Sequence, residues 1–190
     1  MIPRVIALAT TSIIWKTFEE FLADAESADV APVLRLLLAS DGSMTTALEA
    51  LRLGRIGVEV LRQGEEPIDD DTARRLGVAA RQTAVSRHAW LTHAGERLLY
   101  AVSVLPLESL DPDIAAEVRR GIEPLGRLFD TANRAVLRDG LRIGRLHDPD
   151  LAAAFNVAPS ETLWCRTYRL SVERTLTASI VEVLSPRLAE

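Results

Sequence analysis

The chain has 190 residues, 48% hydrophobic and 5% aromatic, with a formal net charge of −5. That length suits one domain with a substantial core. The acidic balance argues against a nucleic-acid backbone as partner and the sparse aromatics against a base-stacking surface, so the expected ligand is a small molecule.

An apolar patch from Val5 to Trp15 follows Arg4 in the manner of a signal peptide. Thr10, Thr11 and Ser12 interrupt it and no cleavage site precedes Lys16, so export is not expected. No segment approaches the ~20 apolar residues of a membrane span. Cys165 is the single cysteine, which excludes an internal disulfide or a multi-cysteine zinc site and agrees with a reducing cytoplasm. It reads as core. His88, His93 and His147 lack zinc-ligand spacing, so no metal is expected.

In chain order, Trp15, Phe18, Phe21 and Leu22 predict an amphipathic helix over 15–25, and Val33 to Leu38 a second helix behind Pro32. Ser43 is read as the N-cap of a third helix that carries Met44, Leu48 and Leu51 and stops near Gly54. Gly57 to Leu61 reads as a strand, and Asp69 to Leu76 as a short acid-led helix ended by Gly77. Ala84 to Thr92 and Leu98 to Leu105 form two strands about a turn at 94–97, with Pro106 ending the second. Both faces of that second strand are apolar, which predicts a central position covered by helices. Helices are expected over Asp113 to Arg120, Pro124 to Ala132 and, capped by Asp148, Pro149 to Phe155. Strands Leu163 to Leu170 and Thr177 to Leu184 close the chain around a turn at Glu173 and Arg174. This order predicts an α+β layer fold with a mainly antiparallel sheet. It forms one domain over 1–190, with 1–30 as a helical extension. No glycine pattern fits a phosphate cradle or a nucleophile elbow.

Glu182 interrupts the apolar run from Ala178 to Leu184 and shares a strand face with Ile180 and Leu184. A buried, unpaired carboxylate costs several kcal/mol, roughly, so it needs a partner or a purpose. Two readings stand open: an ion pair with an arginine on another strand, or an acid facing a ligand in an apolar pocket. Arg87 and Arg166 are the candidate partners, for Glu182 or for a ligand carboxylate. His88 and Tyr100 are a possible proton-exchanging pair or ordinary core groups.

Four ordered stretches resemble the chorismate lyase family, over roughly Pro32 to Pro186. They are Leu36-Leu37-Leu38 with Asp41 to Thr45; Tyr100 to Leu107; Pro124 to Arg127 with Ile143-Gly144-Arg145; and Trp164 to Arg169 leading to Val181-Glu182-Val183. The resemblance implies an antiparallel sheet of about six strands with helices on one side. It also implies cleavage of chorismate to 4-hydroxybenzoate and pyruvate without metal or organic cofactor, in a closed pocket. Met44, Leu125 and Glu182 match ligand-contact positions, the glutamate engaging the hydroxyl end of the product.

Val102 stands where the family is expected to place the arginine that holds the ligand carboxylate. Arg142 and His88 replace acids elsewhere in the pattern. Valine offers no donor, and losing such a contact costs ~2 to 5 kcal/mol. The expected activity is therefore a cofactor-independent enzyme of specialised metabolism that carries out an elimination, isomerisation or pericyclic cyclisation. Glu182 is its acid, and Met44, Val102, Leu125, Arg87 and Arg166 are its substrate-binding residues. The alternatives are an authentic chorismate lyase with a relocated arginine, and a non-catalytic sensor domain like those of transcription regulators, against which the short, non-basic segment ahead of Leu36 argues.

Overall fold

The computed structural model describes residues 13–106, 108, 112–120, 125, 135–172 and 176–190, with the backbone alone at 176 and 177. The N-terminal patch before Ile13, the helix expected at Pro124 to Ala132 apart from Leu125, and the turn at Glu173 and Arg174 lie outside these residues. The described helices are α1 (Phe18–Ala23), α2 (Pro32–Ala39), α3 (Met44–Arg52), α4 (Asp70–Leu76), α5 (Pro112–Arg120) and α6 (Pro149–Ala154). The strands are β1 (Gly57–Pro67), β2 (Thr83–His93), β3 (Glu96–Pro106), β4 (Val136–Leu146), β5 (Leu163–Val172) and β6 (Leu176–Leu184). They make one six-stranded sheet in the order β1-β2-β3-β6-β5-β4, with every neighbouring pair antiparallel.

Local chemistry sets the helix limits. Thr17 and Glu20 form a reciprocal capping box that starts α1 later than its apolar spacing suggests. The Ser43 hydroxyl accepts from the Thr46 amide, the cap read from the sequence. Asp69 accepts from the amides of Asp71 and Thr72 at the head of α4, and Gly77, at φ +71°, closes that helix in the left-handed region. Asp148 caps α6 through the Leu151 amide.

The strand reading was incomplete at the sheet edges. β1 runs to Pro67, past the polar stretch Arg62 to Glu66, because it is an edge strand whose outer half meets water. The other edge, β4, carries no strand signal in its sequence. Its alternation breaks where the register slips between Asp139 and Arg142, around Gly140 at φ +65°. Gly144 in β4 is required by close packing: a Cβ there would lie 2.5 Å from Ile13 and 2.9 Å from Trp15.

The register divides the sheet into two faces. On one, Ala89, Ala101, Glu182 and Arg166 form a row across β2, β3, β6 and β5, and Arg87, Ser103, Ile180 and Tyr168 form the next. Helices α1 to α3 pack on this face with Leu91, Leu99 and Leu184, and α5 packs there with Val85, Leu105 and Leu170. The opposite face carries Trp90, Tyr100, Cys165 and Val183 under Leu151 and Phe155, at the α6 end. Toward the other end of that face, α4 packs Ala73 and Leu76 on Ala84. As expected, β3 is central and covered by helices.

Candidate active site

A cavity of about 70 Å³, open at a mouth, lies between the first face and α3. Most of its lining is apolar: Val58, Ala89, Leu91, Ala101, Leu170 and Ile180 from the sheet, roofed by Met44 and by Leu125. Among the described residues three charged side chains enter it, those of Arg87, Arg138 and Glu182. Such a chamber, apolar with few polar groups, suits a small molecule held in one orientation.

Glu182 lines the cavity and is also ion-paired with Arg166. Its Oε2 accepts from Arg166 Nε at 2.6 Å and its Oε1 from the Tyr168 hydroxyl at 3.1 Å. A carboxylate offers about four acceptor positions, so capacity remains for a ligand hydroxyl. Arg166 is wholly buried, and its Nη1 donates to the carbonyls of Leu37, at 2.9 Å, and Ser40. Burial works to lower the Arg166 pKa, but the neighbouring Glu182 and Tyr168 outweigh it and hold the guanidinium above its ordinary value. Burial first, and the Glu182 charge second, push the Tyr168 phenol well above its ordinary value.

Five of the six expected site residues gather on this face, though not all in the roles assigned. Met44, Leu125, Arg87 and Glu182 line the cavity. Arg166 does not; it stands behind Glu182 as the carboxylate's positioning partner. Val102 is the correction. It pairs with Val181 on the opposite face and packs against the cluster of Trp90 and Tyr100, so it does not line the cavity. One cation in the chamber comes from Arg87, a strand away on β2 and only 4% exposed, and a second from Arg138 on β4. His88 and Tyr100 do meet, with Nδ1 and the hydroxyl 2.8 Å apart, but on the far face, where burial lowers the imidazole pKa. Cys165 is buried there too, its thiol pKa raised by burial, as a core residue's should be. Arg138 was missed because the strand that carries it was missed.

Among the described residues no group of three or more His, Cys, Asp or Glu side chains is placed to hold a metal. No helix among them is long and apolar enough to cross a membrane.

Solved structures share this architecture. PhnF of Mycobacterium smegmatis superposes with a TM-score of 0.60 at 16% identity, over 77% of this chain and 65% of that one. A GntR-family transcriptional regulator of Bacillus cereus gives 0.54 at 12%, over 70% and 92%. The fold is thus an α+β antiparallel sheet of the kind those two structures contain, here with an apolar chamber under its helices. The chain belongs to the family described as chorismate pyruvate-lyase Rv2949c-like, whose profile matches residues 38–190. A protein of Halorhodospira halophila named probable chorismate pyruvate-lyase is 39% identical over 122 residues. That match spans 61% of this chain and 60% of its relative's length. A protein of the same name from Pseudomonas putida is 25% identical over 177 residues, 93% of this chain and 90% of that one.

Proposed function

We propose that the protein is a chorismate pyruvate-lyase, releasing 4-hydroxybenzoate and pyruvate. The observation that carries this reading is the presence of Arg87 and Glu182 in one apolar cavity on one sheet face. They sit two strands and one register row apart, roughly 12 Å between backbones by strand geometry. A ring with a carboxylate at one end and a hydroxyl at the other spans such a gap. Arg87 takes the carboxylate in charge-assisted hydrogen bonds, and Glu182, oriented by Arg166 and Tyr168, accepts from the hydroxyl.

In the reaction, the ring carbon bearing the hydroxyl loses its proton and the neighbouring ring–oxygen ether bond breaks. The departing enolpyruvate takes up a proton and becomes pyruvate, while the ring becomes aromatic. The protein's task is to hold one reactive conformer away from water, which the apolar lining of Met44, Leu125, Leu170 and Ile180 does. A diverged isomerisation or cyclisation followed from reading Val102 as a lost cation. With Val102 on the far face, chorismate is the substrate the chamber favours.

Incubating the purified protein with chorismate and following pyruvate and 4-hydroxybenzoate together tests the proposal. Equal release of both is expected, with kcat/KM about 30-fold or more lower in Arg87→Gln. No release from the unaltered protein would overturn it. The fold shared with regulators favours a second reading, a ligand-sensing domain, which binding without turnover would select.

A further inference from the structure

The geometry points to Arg138 as the residue that reads the second carboxylate of the substrate, making the chamber selective for a dicarboxylate over its monocarboxylate product. This rests on the lyase reading above. Arg138 is on β4, opposite Leu170 of β5, one register row beyond Tyr168. It enters the cavity from the edge of the sheet opposite to that of Arg87. Four strand spacings separate β2 from β4, roughly 19 Å in a flat sheet, and two long side chains close that span from both ends.

The Arg138 guanidinium is not committed to an acid that the structure describes. Its Nε is buried and has no hydrogen-bond partner among the described residues. A buried N–H without an acceptor is costly, and a ligand oxyanion removes the cost. Leu170, the strand partner of Arg138, follows Tyr168 by two residues on the same face, and the Tyr168 hydroxyl donates to Glu182, so Arg138 stands on the Glu182 side of the chamber.

The chemistry of the substrate matches this placement. With the ring carboxylate on Arg87 and the ring hydroxyl on Glu182, the enolpyruvyl ether occupies the carbon next to the hydroxyl. Its carboxylate then falls on the Tyr168 and Arg138 side. A product that has lost the enolpyruvyl group no longer engages Arg138, so the residue distinguishes substrate from 4-hydroxybenzoate.

Arg138→Gln and Arg138→Lys test this through two constants from one assay: the KM for chorismate and the inhibition constant of 4-hydroxybenzoate. The glutamine variant should raise KM about 30-fold or more, the cost of truncating a buried charge-assisted contact, while the inhibition constant stays within about twofold. Lysine, which keeps the charge but not the fork, should recover part of the loss. A rise in both constants together, or in neither, with normal turnover by the unaltered protein, overturns the role of Arg138 and leaves the lyase reading standing. Absence of turnover in the unaltered protein overturns the lyase reading, and the role of Arg138 with it.

Discussion

Glu182 and Arg166 share one burial cost: each is tolerable only because the other is there. Taking two charges out of water costs several kcal/mol per ion, and their attraction offsets this only with good geometry and further hydrogen bonds. The 2.6 Å contact, the Tyr168 hydroxyl and the carbonyls of Leu37 and Ser40 supply them, leaving the Arg166 Nη2 without a partner among the described residues. Glu182→Gln should thus lower stability by about 3 kcal/mol, since it leaves the Arg166 cation without its counter-charge. Adding Arg166→Met to that variant should restore part of the loss, a coupling that urea denaturation of the single and double variants will measure. Additive losses would mean that the pair is not coupled. At this scale the sequence showed that Glu182 is buried and that an arginine could meet it. It did not show which side of β3 faces the cavity. Tyr100, Val102 and Val104 alternate with Leu99, Ala101 and Ser103, and both sets are nearly all apolar or small, so period two has no polar face by which to orient it. Only the pairing of Ala101 with Glu182 decides, and that contact links residues 81 positions apart.

The helices with chemical punctuation were legible, and the irregular strands were not. Ser43, Asp69, Gly77 and Asp148 act through their own side chain or backbone within three or four residues, so their sequence context carries the whole signal. β4 gains its strand character from β5, across a bulge that hides its alternation. One cap is open to direct measurement. Slight burial disfavours the charged Asp69 carboxyl, but the Thr72 and Asp71 amides and the nearby Arg75 outweigh it and hold the pKa below its ordinary value. A carboxyl depressed on folding contributes stability that is full above its unfolded pKa, near 3.9, and is lost as pH falls from there through the folded value. Asp69→Ala should cost about 1 kcal/mol at neutral pH, with the difference from the unaltered protein shrinking in that acid range. Paired thermal melts across pH 2 to 7, on the order of the carboxylate range, will show this; a constant difference would assign the cost to something other than the charged cap.

The whole molecule places two of its apolar clusters on the cavity face around the chamber and seals the reverse face with α6 and α4. A ligand that fills the chamber should therefore stabilise the entire fold by mass action. At 100 times its dissociation constant, 4-hydroxybenzoate should add about 2.7 kcal/mol and raise Tm by roughly 5 to 10 °C. An unchanged Tm at saturating concentration would show that the product does not bind the folded chain. The Arg166 guanidinium has a mechanical consequence. It rivets the end of α2 to the sheet through the Leu37 and Ser40 carbonyls, with the same side chain that steadies Glu182. Truncating Arg166 would therefore untether that helix end and unsettle the carboxylate in one stroke.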